Sequence, residues 1–171
     1  MLCSAPMKPF ILRATLLAAL ALTSLAEAAS TSLAKVFIGP DGLAHIVDAA
    51  GRDQTFTRET GQVSVADPRL SDDRRAAGWR VEELNCCTSY PIPLRLAVYR
   101  NGRKQIISPG LMIYDWAFVA GGREVALSSG VVHGATERTF DLYSVRSGRR
   151  LAHSTGDARA TPPRWALRLR Q

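Results

Sequence analysis

Residues 112–119 read MIYDWAFV, and this octet decides the fold. Met112, Tyr114, Trp116 and Phe118 fall on one side of an extended chain, and Ile113, Asp115, Ala117 and Val119 on the other. A helix would repeat its apolar residues three and four apart, whereas alternation is the mark of a half-buried strand. The same period recurs outward from the octet. Leu94, Leu96 and Val98 alternate with Arg95, Ala97 and Tyr99, and Ala77, Trp79 and Val81 alternate with Gly78, Arg80 and Glu82. Pro40-Asp41-Gly42, Asn101-Gly102 and Ala120-Gly121-Gly122 punctuate these segments with residues that tolerate positive φ. The pattern predicts an all-β chain of antiparallel sheets.

The turns themselves repeat. One class follows a hydrophobic residue and leads into a strand, in FIGPDGLAHIV, RLSDDRRAAGWRV and FVAGGREVALS. A second ends a strand with Gly-Arg, in IVDAAGRDQTF, AVYRNGRKQII and YSVRSGRRLAH. Gly51, Gly102 and Gly148 stand 51 and 46 residues apart, close to the period of about 40 to 50 residues that repeats a four-stranded unit. About two propeller-blade-like four-stranded units plus an N-terminal hairpin are expected. PRLSDDRRAAGW resembles the Ser-Pro-Asp-Gly turn of WD-repeat-like β-propeller blades, such as those of the periplasmic Tol-system propeller. IYDWAFVAGGREVAL and FDLYSVRSGRRLAH are similar to the rest of such a blade, so the likeness runs from Pro68 to His153. It departs from the pattern where Asp72-Asp73 replaces Pro-Asp, and Gly appears only in the later copy. The resemblance implies a scaffold used for binding and brings no catalytic residue with it. Two units and a hairpin are too few to close a propeller ring. Open sheet edges are therefore expected, with Arg95, Arg100 and Arg138 as candidate guards and oligomerisation as one way of covering them.

The N-terminus sets the compartment. Lys8 and Arg13 precede the uncharged run ATLLAALALTSLA, Ala14 to Ala26, and Ala26-Glu27-Ala28 follows as a small-x-small cleavage site. These features read as a Sec-type signal peptide over residues 1–28 and place the protein in the periplasm or outside the cell. A single all-β domain is expected over 29–155, and a Pro-containing linker with a basic tail over 156–171. Without the leader, 143 residues remain, enough for one core. No second apolar stretch of membrane length occurs among them, so no transmembrane span is expected once the signal is removed. They carry 20 basic and 14 acidic residues, and the arginines are scattered singly rather than in a block or helical stripe. That distribution does not point to nucleic acid. The expected partner is another exported or envelope protein, or a small ligand.

Cys86 and Cys87 stand side by side in ELNCCTSYPIP, between two predicted strands, and are the only cysteines after the leader. An oxidising compartment favours pairing. Consecutive Cα atoms lie about 3.8 Å apart, nearer than a disulfide ordinarily allows. A vicinal disulfide would therefore be a tight, strained ring that stiffens the connection. Two buried reduced thiols, a bond between chains, or a soft metal ion with further ligands are the alternatives. Asn85, Cys86, Cys87 and Tyr90, with His133 from the polar segment VVHGATER, make up the candidate binding loop. His45, His133 and His153 lack paired spacing, and Asp72-Asp73 reads as a turn cap. No nucleophile elbow, phosphate loop or zinc helix is present, so neither a cofactor nor a metal site is expected. The sequence favours an exported, non-catalytic binding module. A redox-active or redox-gated protein using Cys86-Cys87 is the alternative.

Overall fold

The computed structural model describes residues 31–86, 88–133 and 136–169. The chain runs through β1 (Leu33–Ile38), β2 (Ala44–Asp48) and β3 (Asp53–Phe56). It continues through β4 (Gln62–Leu70), β5 (Ala76–Glu83), β6 (Ile92–Arg100) and β7 (Arg103–Ile107). The last set is β8 (Met112–Val119), β9 (Glu124–Gly130), β10 (Glu137–Ser144) and β11 (Arg150–Asp157). Each set forms its own antiparallel up-and-down sheet, of three, four and four strands, and none closes into a barrel. The all-β expectation therefore holds, with a third strand widening the N-terminal hairpin. The segment read as a signal peptide lies outside the described residues.

The middle sheet is buried on both faces, which its double alternation encodes. Ala77, Trp79, Val81 and Ala97 pack against Leu33, Ile46 and Phe56 of the first sheet. Ala76, Leu96, Val98 and Ile107 pack against Trp116, Phe118, Val125 and Leu127 of the third. Each large apolar side chain so covered contributes about 1.5–3 kcal/mol, and the two clusters weld three sheets into one stack. Gly78 sits where the second and third sheets meet. A Cβ there would lie 2.9 Å from both the Ala97 carbonyl and the Trp116 ring, so the indole seats on bare backbone.

The octet that announces the fold hides one irregularity. In the β8–β9 ladder Ile113 faces Ser129 and Asp115 faces Ser128, so Tyr114 is an extra, bulged residue. A bulge shifts the alternation by one. Ile113 consequently joins Trp116 and Phe118 in the core, not the side of Asp115 that simple alternation gives it.

Both ends of the stack are sealed. The outer face of the first sheet carries a polar cover: His45 stacks on Phe37 and Lys35 lies over that ring. The outer face of the third sheet is covered by the C-terminal segment. A 3-10 turn at Arg164–Ala166 places Trp165, Ala166 and Leu169 against Ala126, Phe140 and Leu142. β11 also continues to Asp157. Gly156 and Asp157, expected at the start of the linker, thus belong to the last strand, and part of the expected tail is a structural clip. Repeat arrays need such terminal caps, because a lone repeat leaves one face uncovered.

The inward edges are guarded by arginines donating to carbonyls. On β8, Arg80 reaches the Tyr114 oxygen at 3.4 Å, Arg69 the Trp116 oxygen, and Arg168 the Phe118 oxygen at 3.3 Å. Arg74 covers Leu33 and Ala34 on β1, and Arg58 covers Val63 on β4. Of the three guards expected from sequence, Arg95 binds Glu83 and the Thr60 carbonyl, Arg100 braces a turn, and Arg138 lies over Tyr114. Alternate carbonyls on a strand edge project the same way, so residues far apart in sequence can cap one row.

Candidate functional site

Five turns gather at one end of the stack. Leu33 N donates to the Arg74 carbonyl and Ala49 N to the Ser32 carbonyl, so the β2–β3 and β4–β5 turns sit together. Arg100, at the β6–β7 turn, donates to the Gly122 carbonyl of the β8–β9 turn at 3.0 Å. Val145 N donates to the Arg123 carbonyl at 3.0 Å, which adds the β10–β11 turn. Gly51, Gly102 and Gly148 all have positive φ and occupy the last hairpin of the first, second and third sheets. The Pro40-Asp41-Gly42 turn faces the other way, because the first sheet has one strand fewer than its neighbours.

This turn end holds a cleft of about 750 Å³ between the second and third sheets. Arg100, Arg103, Arg123 and Arg146 line it against a single acid, Glu124, over a floor that includes Val145 and Leu151. Arg100 is committed: it pairs with Asp73 at 2.8 Å and holds the Gly122 carbonyl. Gly122 has φ +74°, and a Cβ there would lie 2.6 Å from Ser71 and 2.9 Å from the Arg100 guanidinium. The glycine thus makes room for the brace. Burial would raise the Asp73 carboxyl, but hydrogen bonds from Arg100, Ser71 and the Arg75 amide outweigh it and bring it down to about 2. Asp73 is the turn cap expected of the Asp72-Asp73 pair, and Asp72 takes Arg168 at 2.6 Å. Arg103, Arg123 and Arg146 are exposed and make no side-chain ion pair among the described residues. Planar guanidiniums converging on one cleft suit carboxylate or phosphate, which they bind in forked pairs.

The candidate loop lies at the opposite end. Asn85 donates to Thr88 Oγ1 at 2.7 Å and Thr88 to the Tyr90 carbonyl at 2.6 Å, which closes the β5–β6 connection. Cys86 is exposed and Tyr90 is 52% exposed. Cys87, and with it the Cys86-Cys87 bond expected from the sequence, lies outside the described residues. His133 is exposed on the β9–β10 connection at this same end, and no hydrogen bond or ion pair joins it to the 85–90 loop among the described residues.

The other histidines are held by acids. His45 Nε2 lies 3.1 Å from Asp41 and Nδ1 lies 3.2 Å from Asp53. The Asp41 hydrogen bond raises the imidazole against the opposing pull of burial, and Asp53 adds to it. His153 Nδ1 lies 2.8 Å from the buried Asp141. A second ionic cluster sits inside the stack. Arg69 bridges Asp67 at 2.7 Å and Asp115 at 2.6 Å and lies over the Trp116 ring. Among the described residues no group of three or more His, Cys, Asp or Glu side chains forms a metal-binding arrangement. No helix among them is long and apolar enough to cross a membrane.

In comparison with known proteins, no family model matches the chain and no curated protein matches it.

The arginine cleft is the feature that reading along the sequence missed. Its arginines are scattered along the chain, but each belongs to one of the recurrent turns, RNGR, GGRE and VRSGR. Turns repeated at the same step of consecutive sheets stack, so their arginines converge. The repeat carried the signal, not the local charge density.

Proposed function

We propose that the chain is an exported, non-catalytic binding module of propeller-blade-like sheets whose ligand is anionic and enters the arginine cleft between the second and third sheets. The cleft carries this reading: four arginines face one glutamate in a space of about 750 Å³, a volume suited to a ligand of small-molecule size. The absence of catalysis is supported by the way acids and histidines are spent on one another, as in Asp41–His45–Asp53 and Asp141–His153. The leader at residues 1–28 supports export, and the repeated turns of the two four-stranded units support the likeness to propeller blades. The cysteine-bearing connection, with Tyr90 exposed beside it, is a separate contact surface at the far end.

Calorimetric titration with citrate at low ionic strength tests the cleft. The protein binds citrate, and Arg123→Gln with Arg146→Gln weakens it at least tenfold while thermal unfolding stays within about 2 °C. Equal binding by the double variant refutes the assignment.

A further inference from the structure

A second cleft, of about 340 Å³, opens at the same turn end between the first and second sheets. Its lining includes Arg52, Arg75, Asp48, Asp53, Gln54 and Tyr99. Asn101, at the tip of the β6–β7 turn, lines both clefts, so one hairpin tip is the ridge between them. We infer that the two clefts form one site for an extended acidic peptide, which sets carboxylates among the arginines and a neutral, aromatic side chain in the cleft beside Tyr99. This rests on the anionic reading of the arginine cleft and adds the ligand's class and shape.

Spacing and charge carry the inference. Stacked sheets lie about 10 Å apart, so adjoining inter-sheet clefts are separated by one such step. A strand advances about 3.3 Å per residue, and three residues of extended chain cover that step. The charges of the two clefts differ in kind. With Arg100 spent on Asp73, the larger keeps an excess of two positive charges, from Arg103, Arg123 and Arg146 against Glu124, whereas in the smaller Arg52 and Arg75 are matched by Asp48 and Asp53. Asp48 is fixed as a carboxylate: its oxygens accept from the Ala50 and Arg52 amides and from Arg52 Nε at 2.6 Å. Asp53 lies against His45. A uniformly charged polymer, such as a polyphosphate or a nucleic acid strand, would press a phosphate against both carboxylates. A peptide changes character from residue to residue and can meet both surfaces. Gln54 is exposed and makes no side-chain hydrogen bond among the described residues, which leaves its amide available to a peptide backbone. Leu33, Ile46 and Tyr99 give the smaller cleft an apolar wall.

Fluorescence anisotropy on the purified protein tests this with four labelled probes. One octapeptide carries two adjacent glutamates with a tyrosine three residues away, and a second has the tyrosine moved next to the glutamates. The third is octaglutamate, and the fourth is an eight-nucleotide single strand. The spaced peptide binds at least tenfold tighter than the other three, and Gln54→Arg, by making the smaller cleft basic, reverses the preference toward octaglutamate. Equal affinity for the two tyrosine peptides, or tighter binding of octaglutamate or the oligonucleotide by the unaltered protein, overturns the peptide inference. If citrate still binds in that case, the anionic cleft stands without it. If citrate fails to bind, both fall.

Discussion

Replacing Arg69 by methionine keeps the length of the side chain and removes its charge, and the structure fixes what this leaves behind. Arg69 bridges Asp67 and Asp115, donates to the Trp116 carbonyl and lies over the indole. The Asp115 side chain is only 8% exposed, while that of Asp67 is 24% exposed and keeps Arg80 at 3.6 Å. Breaking a buried ion pair on one side costs about 3–5 kcal/mol, and the remaining partner of Asp67 puts Arg69→Met at the lower end, about 3 kcal/mol. Asp115→Asn alone leaves Arg69 on Asp67 and costs about 1–2 kcal/mol. In the double variant the buried carboxylate charge that Arg69 balanced is gone as well, so the two losses do not add, and a coupling of about 1–2 kcal/mol is expected. Urea unfolding of the four proteins, with the denaturant slope unchanged, measures it. Additivity within about 0.3 kcal/mol would refute the reasoning and reduce the bridge to a solvated surface contact.

Leu169→Ala should cost about 2 kcal/mol, the low end for a buried leucine, because it thins the clip over the third sheet; unchanged thermal stability would show that the clip does not seal that face. The Asp73 carboxyl, held at about 2, contributes stability that is complete above the ordinary aspartate range and is lost as pH falls from about 4 to about 2. After solvent screening this amounts to about 1–2 kcal/mol. Arg100→Met should remove most of that acid-side slope in pH-dependent unfolding. His45 runs the other way. With its folded pKa raised, its contribution is complete below about 6.5 and fades as pH rises through the folded value, so His45→Gln should flatten the fall in stability on the neutral side. If the proposed export and cysteine bond hold, intact mass of the protein as expressed in cells, before and after reduction, should give residues 29–171 and a two-dalton gain on reducing the cysteine pair. A mass that includes the leader, or no gain, would remove export or the bond respectively.

Strand identity was legible wherever one rule governed a segment. Ala77, Trp79 and Val81 sort to one face and Leu96 and Val98 to another because both faces of the middle sheet are covered, and the alternation simply continues. The Asn101-Gly102 and Ala120-Gly121-Gly122 turns were legible because positive φ leaves few residues to choose from. The bulge at Tyr114 was not, since an extra residue in a ladder is set by the partner strand and leaves no local mark. The edge guards were hidden for a related reason. Arg69, Arg80 and Arg168 find the row of β8 carbonyls through the sheet packing, and Arg168 comes from a segment that reads locally as a loose tail. The arginine cleft was half legible. The recurring Gly-Arg turns were visible, but their convergence depends on the sheets stacking in step, which only the fold supplies.

The most direct measurement is the side-chain Nε–H spectrum of the arginines during a citrate titration. Arg103, Arg123 and Arg146 should shift together along one saturable curve while Arg58 and Arg149 stay in place. Shifts spread evenly over all the exposed arginines, or none in the cleft, would contradict an anionic site built by the stacked turns.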